Sequence, residues 1–327
     1  MFSRPEDLTD EQVRDALASA WGLHVASLEH APVGFGSHHW WVTTADGCRW
    51  FATADDLRLR RRPEDETGQA ALGRLRAALT TATCLSEYGL DWVVAPRRAR
   101  DGQVVVPIAG AFALSLYPRV DGRAFGWGPY EDAGHRAAVL DRLVALHTTP
   151  GCRGAADVDD LGRGLVADLR GLLDDPGPQW HGGPFAREAW RLVVDRGAVV
   201  RALLDRYEDL VHEVDPARFV VTHGEPHRGN TLLTVAGVVL VDWDTCLLAP
   251  PERDVWLVAG EEPGILSDHE ERTGSTLDER LLEAYRLRWD LADVASFAAE
   301  LRAPHDDDED TRTARAGLRA VLEEGEP

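Results

Sequence analysis

A short polar loop between apolar segments limits most strongly how this chain can fold. The loop is His223-Gly224-Glu225-Pro226-His227-Arg228-Gly229-Asn230, and the apolar segment 219–222 comes directly before it. Two further apolar segments, 231–235 and 238–241, follow with a two-residue turn between them, which predicts a β-hairpin. Such a hairpin would bring Asp242, at its far end, back beside the loop on rigid backbone.

The spacing of acids and amide in this region is typical of phosphoryl transfer from a nucleotide. Glu225 stands five residues before Asn230, and Asp242 closes the hairpin. In such sites one carboxylate orients a hydroxyl group and accepts its proton, while an amide oxygen and a second carboxylate hold Mg²⁺ against the phosphates. The pattern therefore predicts Glu225 as the base, with Asn230 and Asp242 as metal ligands.

At these residues the chain resembles the aminoglycoside phosphotransferase family, the small-molecule branch of the protein-kinase-like fold. That family has His-Gly-Asp, four residues and Asn in its loop, and Asp-Trp or Asp-Phe at its metal site. The corresponding segments here are 223–230 and 242–243. Segment 249–254 is similar to its counterpart in spectinomycin phosphotransferase-like members. Because these features occur in order over about forty residues, chance is a poor explanation.

The resemblance implies an α+β, two-lobed protein-kinase-like fold. Residues 1–117 would form a small nucleotide-binding lobe around an antiparallel sheet, and residues 118–327 a larger, mainly helical lobe with the 223–230 loop and the substrate pocket. The implied activity is Mg²⁺-dependent transfer of the γ-phosphate of ATP or GTP to a hydroxyl group of an aminoglycoside- or aminocyclitol-like substrate. Asp244 would either bind a second ion or steady Asp242, and both readings remain open.

Other residues of the 223–230 loop have expected roles. The resemblance implies that His223 braces the loop by hydrogen bonding and transfers no proton. His227 and Arg228 would face the transferring phosphate, where a guanidinium group neutralises developing charge. Glu225 is one methylene longer than the family's aspartate, a difference in reach of about 1 Å that can cost about a hundredfold in rate. Three alternatives remain open: the longer side chain lowers the rate, the loop conformation compensates for the extra length, or Glu225 has no catalytic role.

A glycine-containing segment near the head of the chain is similar in position to the family's phosphate-covering loop. Gly34 and Gly36 flank Phe35, and Ser37 follows, between two segments with strand-like alternation. Glycines there let backbone amides approach a nucleotide, although a plain hairpin turn would have much the same sequence. Its position about 190 residues before the 223–230 loop favours a phosphate loop.

Three more positions are implied as nucleotide contacts. Thr53 stands on the third predicted strand, where the family has its lysine. Segment 118–122, which follows a strand predicted over 113–117, resembles the hinge between the lobes, where backbone groups would bind adenine. Tyr117 and Val120 are therefore candidate nucleotide-binding residues.

The chain contains no lysine, so all 35 of its Lys and Arg residues are arginines. Kinases hold the α- and β-phosphates with one lysine, paired with a glutamate on a helix. The helix predicted over about 69–88 has no glutamate before Glu87. The lysine and the glutamate would be expected to disappear together, because burying a glutamate without its cationic partner costs free energy. Arg49, Arg58 or the 60–62 cluster could supply the missing charge, although such a cluster is also typical of a solvated face.

These departures leave a second class of function open. A kinase fold without lysine, and with Glu225 in place of aspartate, could be a degenerate binding or regulatory module. Against this, a scaffold has no physical need for the metal ligands Asn230 and Asp242. Metabolite kinases for choline, sugars and amino-alcohols also use this fold, so the fold does not determine the substrate.

The composition limits the possible partners. A net charge of −21 argues against nucleic acid, whose binding depends on neutralising phosphates. The acidic surplus would attract a polar or cationic hydroxylated substrate, or it only keeps the protein soluble. No apolar run approaches the roughly 20 residues that span a bilayer, so no membrane partner is expected. The polar, acidic N-terminal segment and four scattered cysteines, expected to be reduced and mostly buried, predict a cytoplasmic location.

Periodicity predicts the remaining elements. Helices are expected near 9–20, 69–88, 139–147, 188–214, 277–302 and 311–323, and strands at 31–33, 40–42, 50–52, 104–106 and 113–117. Most of the eleven tryptophans are expected to pack in the core. Trp127 and Trp180 are the two that could flank a substrate.

Overall fold

The computed structural model describes residues 1–34, 36–60, 67–260 and 262–324. A five-stranded antiparallel sheet and two helices form the first part of the chain, and a mainly helical part follows. The sheet has the order β1-β2-β3-β5-β4 and consists of β1 (Val25–Ala31), β2 (His38–Thr44), β3 (Arg49–Asp56), β4 (Val106–Ile108) and β5 (Phe112–Pro118).

The two faces of this sheet have different partners. Trp40 on β2 and Ala52 on β3 point into a core shared with α1 (Asp10–Ala16). Thr9 caps that helix by accepting a hydrogen bond from the Gln12 amide. Because side chains alternate along a strand, the neighbouring residues point away from this core. This opposite side, which we call the cleft face, is formed by His39, Trp41, Phe51, Thr53, Asp55, Ser115 and Tyr117.

The second part of the chain is built from helices around short strands. Its helices are α3 (Ala133–Thr148), α4 (Arg163–Asp174), α5 (Ala186–Val211), α6 (Glu252–Ala259), α7 (Pro263–Thr273), α8 (Glu279–Arg302) and α9 (Glu309–Arg319). Its strands are β6 (Arg123–Ala124), β7 (Val220–Thr222), β8 (Thr231–Thr234), β9 (Gly237–Leu240) and β10 (Leu247–Ala249). Within the described ranges, no helix combines the length and the apolar character that crossing a bilayer requires.

One hydrophobic core connects the two parts. The helix α2 (Gly68–Glu87) contributes Leu75 and Leu79, which pack in the same buried cluster as Leu143 of α3 and Trp243. The expected apolar stripe of this helix is confirmed, since Ala71, Ala78, Ala82 and Leu85 are buried as well. The division at 117/118 stays a prediction: β5 ends at Pro118, but the core runs across that division through α2.

Several predicted boundaries need correction. The first strand covers Val25–Ala31, so only Ala31 of the expected segment 31–33 belongs to it, because the chain turns away at Pro32. The strand expected at 104–106 begins at Val106. Helices α6 and α7 were not anticipated from the sequence, since their short apolar stripes are interrupted by charged residues.

The cysteines differ from expectation as well. Cys84, on α2, forms a disulfide bond with Cys152, which lies just beyond α3, and their Cα atoms are 5.6 Å apart. Of the two free cysteines, Cys246 is buried and Cys48 is exposed. The expectation of four reduced, mostly buried thiols is therefore wrong, because packing of α2 against α3 joins residues separated by 68 positions. A cytoplasmic location stays a prediction.

The disulfide predicts the thiol count and a redox-dependent stability. Titration of the denatured, unreduced protein with a thiol reagent should detect two thiols, those of Cys48 and Cys246. Cys84→Ser should lower the free energy of unfolding by about 2–4 kcal/mol in oxidising buffer, because the closed loop restricts the unfolded chain. In reductant the variant and the parent protein should unfold alike. Detection of four thiols would contradict the bond.

Candidate active site

The expected strand–loop–hairpin unit is present. Strand β7 leads into the 223–230 loop and pairs antiparallel with β10, while β8 and β9 form the predicted hairpin. The loop ends in a short 3₁₀ turn, Arg228–Asn230, whose last residue continues directly into β8. Both ends of the loop are therefore fixed to strands.

Backbone and side-chain hydrogen bonds bring Asn230 and Asp242 to the same place. The Asn230 carbonyl accepts a hydrogen bond from the Val241 amide at 3.0 Å. The Asn230 side-chain amide donates to the Glu225 carbonyl at 3.0 Å, which leaves its side-chain oxygen for another partner. Asp242 has a φ of 65°, a left-handed conformation that is rare outside glycine and common at functional sites.

Trp243 holds the two flanking aspartates in position. Its side chain is fully buried, and its indole N–H donates to the Leu240 carbonyl at 3.0 Å. The ring centroid lies 4.5 Å from that of His223. Because the ring is fixed in the core, Asp242 and Asp244 on either side of it have little freedom to move.

His223 links the loop to the end of the hairpin. Its Nε2 donates to the Val241 carbonyl at 2.9 Å, and its Nδ1 accepts from the Glu225 amide at 3.2 Å. Burial lowers the pKa of this imidazole, although Asp254 acts in the opposite direction. A neutral ring that uses both nitrogens for the fold is positioned to brace the loop.

Asp254, the last residue of segment 249–254, binds several groups behind the 223–230 loop. Its carboxylate accepts hydrogen bonds from the backbone amides of His223 at 2.8 Å and Gly224 at 2.6 Å, and from His147 Nε2 at 3.0 Å. The opposite nitrogen of His147 lies 2.9 Å from His269 Nε2. Burial opposes ionisation of Asp254, but the hydrogen bond and charge of His147 outweigh it and hold its pKa below the usual value.

Three acids share one small volume at the end of this unit. Burial, followed by the charge of Asp244, raises the pKa of Glu225 to about 7. Asp242 is open to solvent at its surface, yet the surrounding protein removes much of the water around its carboxylate. That desolvation, together with the charges of Asp244 and Glu225, raises the pKa of Asp242 well above its usual value. The site therefore has an excess of negative charge.

Arg60 is the cation that lies among these carboxylates. Its guanidinium donates to Asp55 at 2.6 Å and also pairs with Asp244, while the Arg60 side chain is 23% exposed. Burial opposes ionisation of Asp244, but Arg60 outweighs it and lowers the pKa of Asp244. The expectation that the 60–62 cluster forms a solvated face is thus wrong for Arg60, and residues 61 and 62 lie outside the described residues.

Asp55 was not identified from the sequence, although its position two residues after Thr53 placed it on the same face of β3.

His227 and Arg228 do not lie where the resemblance implied. Arg228 donates to the Pro129 carbonyl at 3.0 Å, and its guanidinium lies 5.1 Å from the centre of the Phe125 ring. His227 packs edge-on against Trp127, with 4.6 Å between ring centroids, and burial lowers its pKa to about 4. Both side chains are directed toward the 125–129 segment, so the expectation that they face the phosphate needs correction.

The candidate nucleotide residues surround the cleft face. Gly34 and Gly36 have φ values of 72° and 88°, which only glycine adopts readily, and residue 35 between them lies outside the described residues. Ser37 is buried and donates to Asp55 at 2.7 Å. Thr53 lies 3.2 Å from His39 Nδ1, in the position that the family gives to lysine.

Tyr117 and Val120 border the same cleft on the side of the segment between the two parts. Burial, with added repulsion from Asp55, raises the pKa of Tyr117 well above its usual value, so the phenol is neutral. Val120 is half-buried just after β5 ends. Their roles as nucleotide contacts stay a prediction.

A cavity of about 370 Å³ opens beside Glu225. Trp256 and Trp289 form aromatic walls, and Trp289 stacks on Trp127 with 5.4 Å between ring centroids. Trp127 is 66% exposed and is therefore available to a ligand, whereas Trp180 is buried in the helical core and cannot flank a substrate. The cavity is large enough for a small molecule.

The donor set fits a magnesium ion. Two carboxylates and one amide oxygen lie in a site with excess negative charge, and Mg²⁺ prefers such oxygen ligands together with substrate phosphates and water. Across the described part of the chain, no group of three or more His, Cys, Asp or Glu side chains could hold a metal ion by itself. Asn230, Asp242 and Asp244 would therefore bind the ion jointly with a phosphate-bearing ligand.

The raised pKa of Glu225 predicts how stability depends on pH. Between pH 4.5 and about 7 the folded protein keeps a proton that the unfolded chain releases, so Glu225 lowers the free energy of unfolding as pH rises through this window. In metal-free buffer, Glu225→Gln should be about 1–3 kcal/mol more stable than the parent protein at pH 8, and equal to it near pH 4.5. Glu29→Gln, an exposed change on β1, is the control.

Denaturant titrations at several pH values would measure this difference. A stability difference for Glu225→Gln that stays constant across the pH range would contradict the assigned pKa.

Comparison with known proteins agrees with this geometry. The model of the phosphotransferase enzyme family matches residues 27–300, which is most of the chain. Protein StrN of Streptomyces griseus is 30% identical over 319 residues, which cover 93% of this chain and 88% of StrN. These two matches extend well beyond the motif of the 223–230 loop.

Two solved structures share the fold. A spectinomycin phosphotransferase in complex with ADP and spectinomycin has a TM-score of 0.71 at 15% identity, with 98% of this chain and 95% of the other covered. An amicoumacin kinase in complex with AMP-PNP, Ca²⁺ and its ligand has a TM-score of 0.56 at 14% identity, with 98% and 95% covered. The expected two-lobed kinase-like fold is confirmed, and so is the expected enzyme class, a phosphotransferase with an alcohol group as acceptor. The chain therefore belongs to the phosphotransferase enzyme family.

Proposed function

We propose that the protein transfers the γ-phosphate of ATP or GTP to a hydroxyl group of a compact aminocyclitol- or aminoglycoside-like molecule, in a reaction that needs Mg²⁺. The observation that carries this proposal is that Glu225 and Asp244 line a cavity of about 370 Å³. Asp242 lies within the field of both acids, and the Asn230 side chain donates to the Glu225 carbonyl. The solved structure of similar fold that contains ADP and spectinomycin supports a nucleotide donor and a small hydroxylated acceptor.

Glu225 lines the cavity and is the acid best placed to act on an acceptor hydroxyl. With a pKa of about 7, it is partly ionised near neutral pH and can accept the hydroxyl proton. His223 fixes the Glu225 amide, and Asn230 binds its carbonyl, so the backbone at the base is held from both sides. When bound, Mg²⁺ would neutralise charge on the phosphates of the donor.

The lining of the cavity does not favour a polycation. Arg253 and Arg288 border it together with Glu225 and Asp244. The two arginines have protein partners: Arg288 pairs with Asp159, and Arg253 donates to a threonine hydroxyl and a backbone carbonyl. The strong negative charge of the whole chain is therefore not concentrated at this cavity. A compact acceptor with few charges, placed against Trp256 and Trp289, fits it better than an extended polyamine.

A screen with labelled ATP and GTP against aminocyclitols, aminoglycosides, choline, sugars and amino-alcohols would test the function.

Asp242→Asn removes the carboxylate charge but keeps the size and polarity of the side chain at its left-handed position. We expect it to lower kcat by about a thousandfold, since a metal contact stabilises the transition state by several kcal/mol. We also expect it to unfold at a higher temperature in metal-free buffer, because the desolvated charge is gone.

Asp46→Asn, an exposed change in the turn before β3, is the matched control and should keep full activity. An Asp242→Asn variant that transfers phosphate as fast as the parent protein would exclude this site. Transfer to choline or a sugar alone would replace the aminocyclitol class with a metabolite kinase activity.

A second substitution tests whether the loop has adjusted to glutamate. If Glu225 reaches the acceptor hydroxyl in this loop, then Glu225→Asp withdraws the carboxylate by about 1 Å and should lower kcat by about a hundredfold with little change in nucleotide KM. Steady-state kinetics would measure both constants. A faster Glu225→Asp enzyme would mean that glutamate is misplaced in the native loop.

A further inference from the structure

The absence of lysine raises a specific electrostatic question. The phosphates of a nucleotide carry several negative charges, and the acids near Asp242 add more. The two arginines on the cleft face lie at the opposite end of β3 from Asp55: Arg49 pairs with Asp121, and Arg119 lies 4.6 Å from the centre of the Trp41 ring. His39 is neutral there, since burial lowers its pKa to about 3. The cation that offsets this charge must come from another element.

Arg60 reaches the centre of the site from the segment after β3. One guanidinium nitrogen lies 3.2 Å from the Ser37 hydroxyl, at the end of the glycine-containing loop, and 2.6 Å from an Asp55 oxygen. The same nitrogen pairs with Asp244, 184 residues further along the chain. Arg60 thus touches the two elements between which the phosphates of the donor would lie.

One partner of Arg60, Asp244, is also a proposed ligand of the metal ion. Asp244 lies two residues from Asp242 and shares its surroundings, and the Coulomb field of Arg60 extends to Asp242 and Glu225. Without a divalent ion, Arg60 partly neutralises these acids, and Arg253 acts on Glu225 as well. A magnesium ion in the same place would compete with the guanidinium group for Asp244 and direct it toward an anionic partner.

Resting on the proposed function, we propose that Arg60 replaces the missing lysine: it binds the phosphates of the donor nucleotide, and before the nucleotide arrives it neutralises Asp244. Its ligand is the polyphosphate of a nucleoside di- or triphosphate. A planar guanidinium suits this role, because it can hold a phosphate and a carboxylate with separate N–H groups. Arg60 is then a binding residue for the donor and a competitor of the metal ion.

This dual role predicts opposite changes in two affinities. Arg60→Gln should weaken binding of MgATP and MgADP about 10- to 100-fold, the worth of hydrogen bonds to charged groups. The same variant should bind Mn²⁺ more tightly than the parent protein in the absence of nucleotide, by several-fold, because the competing cation is gone. Arg60→Lys should recover part of the nucleotide affinity. Isothermal titration calorimetry with each nucleotide and with Mn²⁺ alone measures both quantities.

Arg58→Gln is the matched control. Arg58 stands two residues away, pairs with Asp56 and Asp7, and is about half exposed, so its loss should leave both affinities unchanged. If Arg60→Gln does not fold because the buried Asp55 loses its cationic partner, the comparison of Asp55→Asn with Asp55→Asn/Arg60→Gln gives the same test.

The outcomes separate this inference from the proposed function. A parallel loss of nucleotide and Mn²⁺ affinity would show that Arg60 only maintains the shape of the site, and unchanged nucleotide affinity would exclude it as a phosphate ligand. Failure of the parent protein to bind any nucleoside triphosphate would instead contradict the donor assigned under the proposed function, and Arg60 would lose its role with it.

Discussion

Repulsion among poorly solvated carboxylates is the constraint on which the site depends. Glu225, Asp242 and Asp244 are held close together by covalent and hydrogen-bonded structure, although their charges and poor solvation oppose this placement. The opposition appears in the raised pKa values of Glu225 and Asp242. Such an arrangement is unfavourable for a protein alone and becomes favourable when a divalent cation and a phosphate group enter. The electrostatics of the site therefore agree with the ligands proposed for it.

Hydrogen bonds of Asp254, His147 and Arg253, which pack behind the 223–230 loop, hold these acids together. Asp254 accepts hydrogen bonds from two loop amides that would otherwise be buried without partners. His147, on α3, donates a third hydrogen bond to the same carboxylate. Arg253 donates to Thr222 at the end of β7 and to the backbone at residue 245, so α6 is bonded to both sides of the loop. Because these groups are fully buried, each lost hydrogen bond would cost more than a comparable bond at the surface.

Features set by neighbouring residues in the sequence could be predicted, whereas contacts between distant residues could not. The hairpin around 236–237 and the stripe of α2 follow from local periodicity, and both are confirmed. The fold followed from the motif of the 223–230 loop. The contact of Arg60 with Asp244 could not be predicted, because the two residues are 184 positions apart and the arginine run looks like a solvated surface. The Cys84–Cys152 bond was missed for the same reason, whereas alternation along β3 could have identified Asp55.

The position of Arg60 also changes how the two parts of the protein are coupled. In a kinase with a strand lysine and a helix glutamate, an ion pair links the helix to the phosphates. Here α2 lines the cavity with Ala71, Arg74, Leu75 and Ala78, and its other buried residues join the core shared with α3. Arg74 also donates to the Arg60 carbonyl at 2.7 Å. The cation is attached to Asp244 instead, beside the metal site. Movement of α2 would then reach the phosphate site through core packing and through the Arg74–Arg60 hydrogen bond, while occupancy of that site would respond directly to the metal ion.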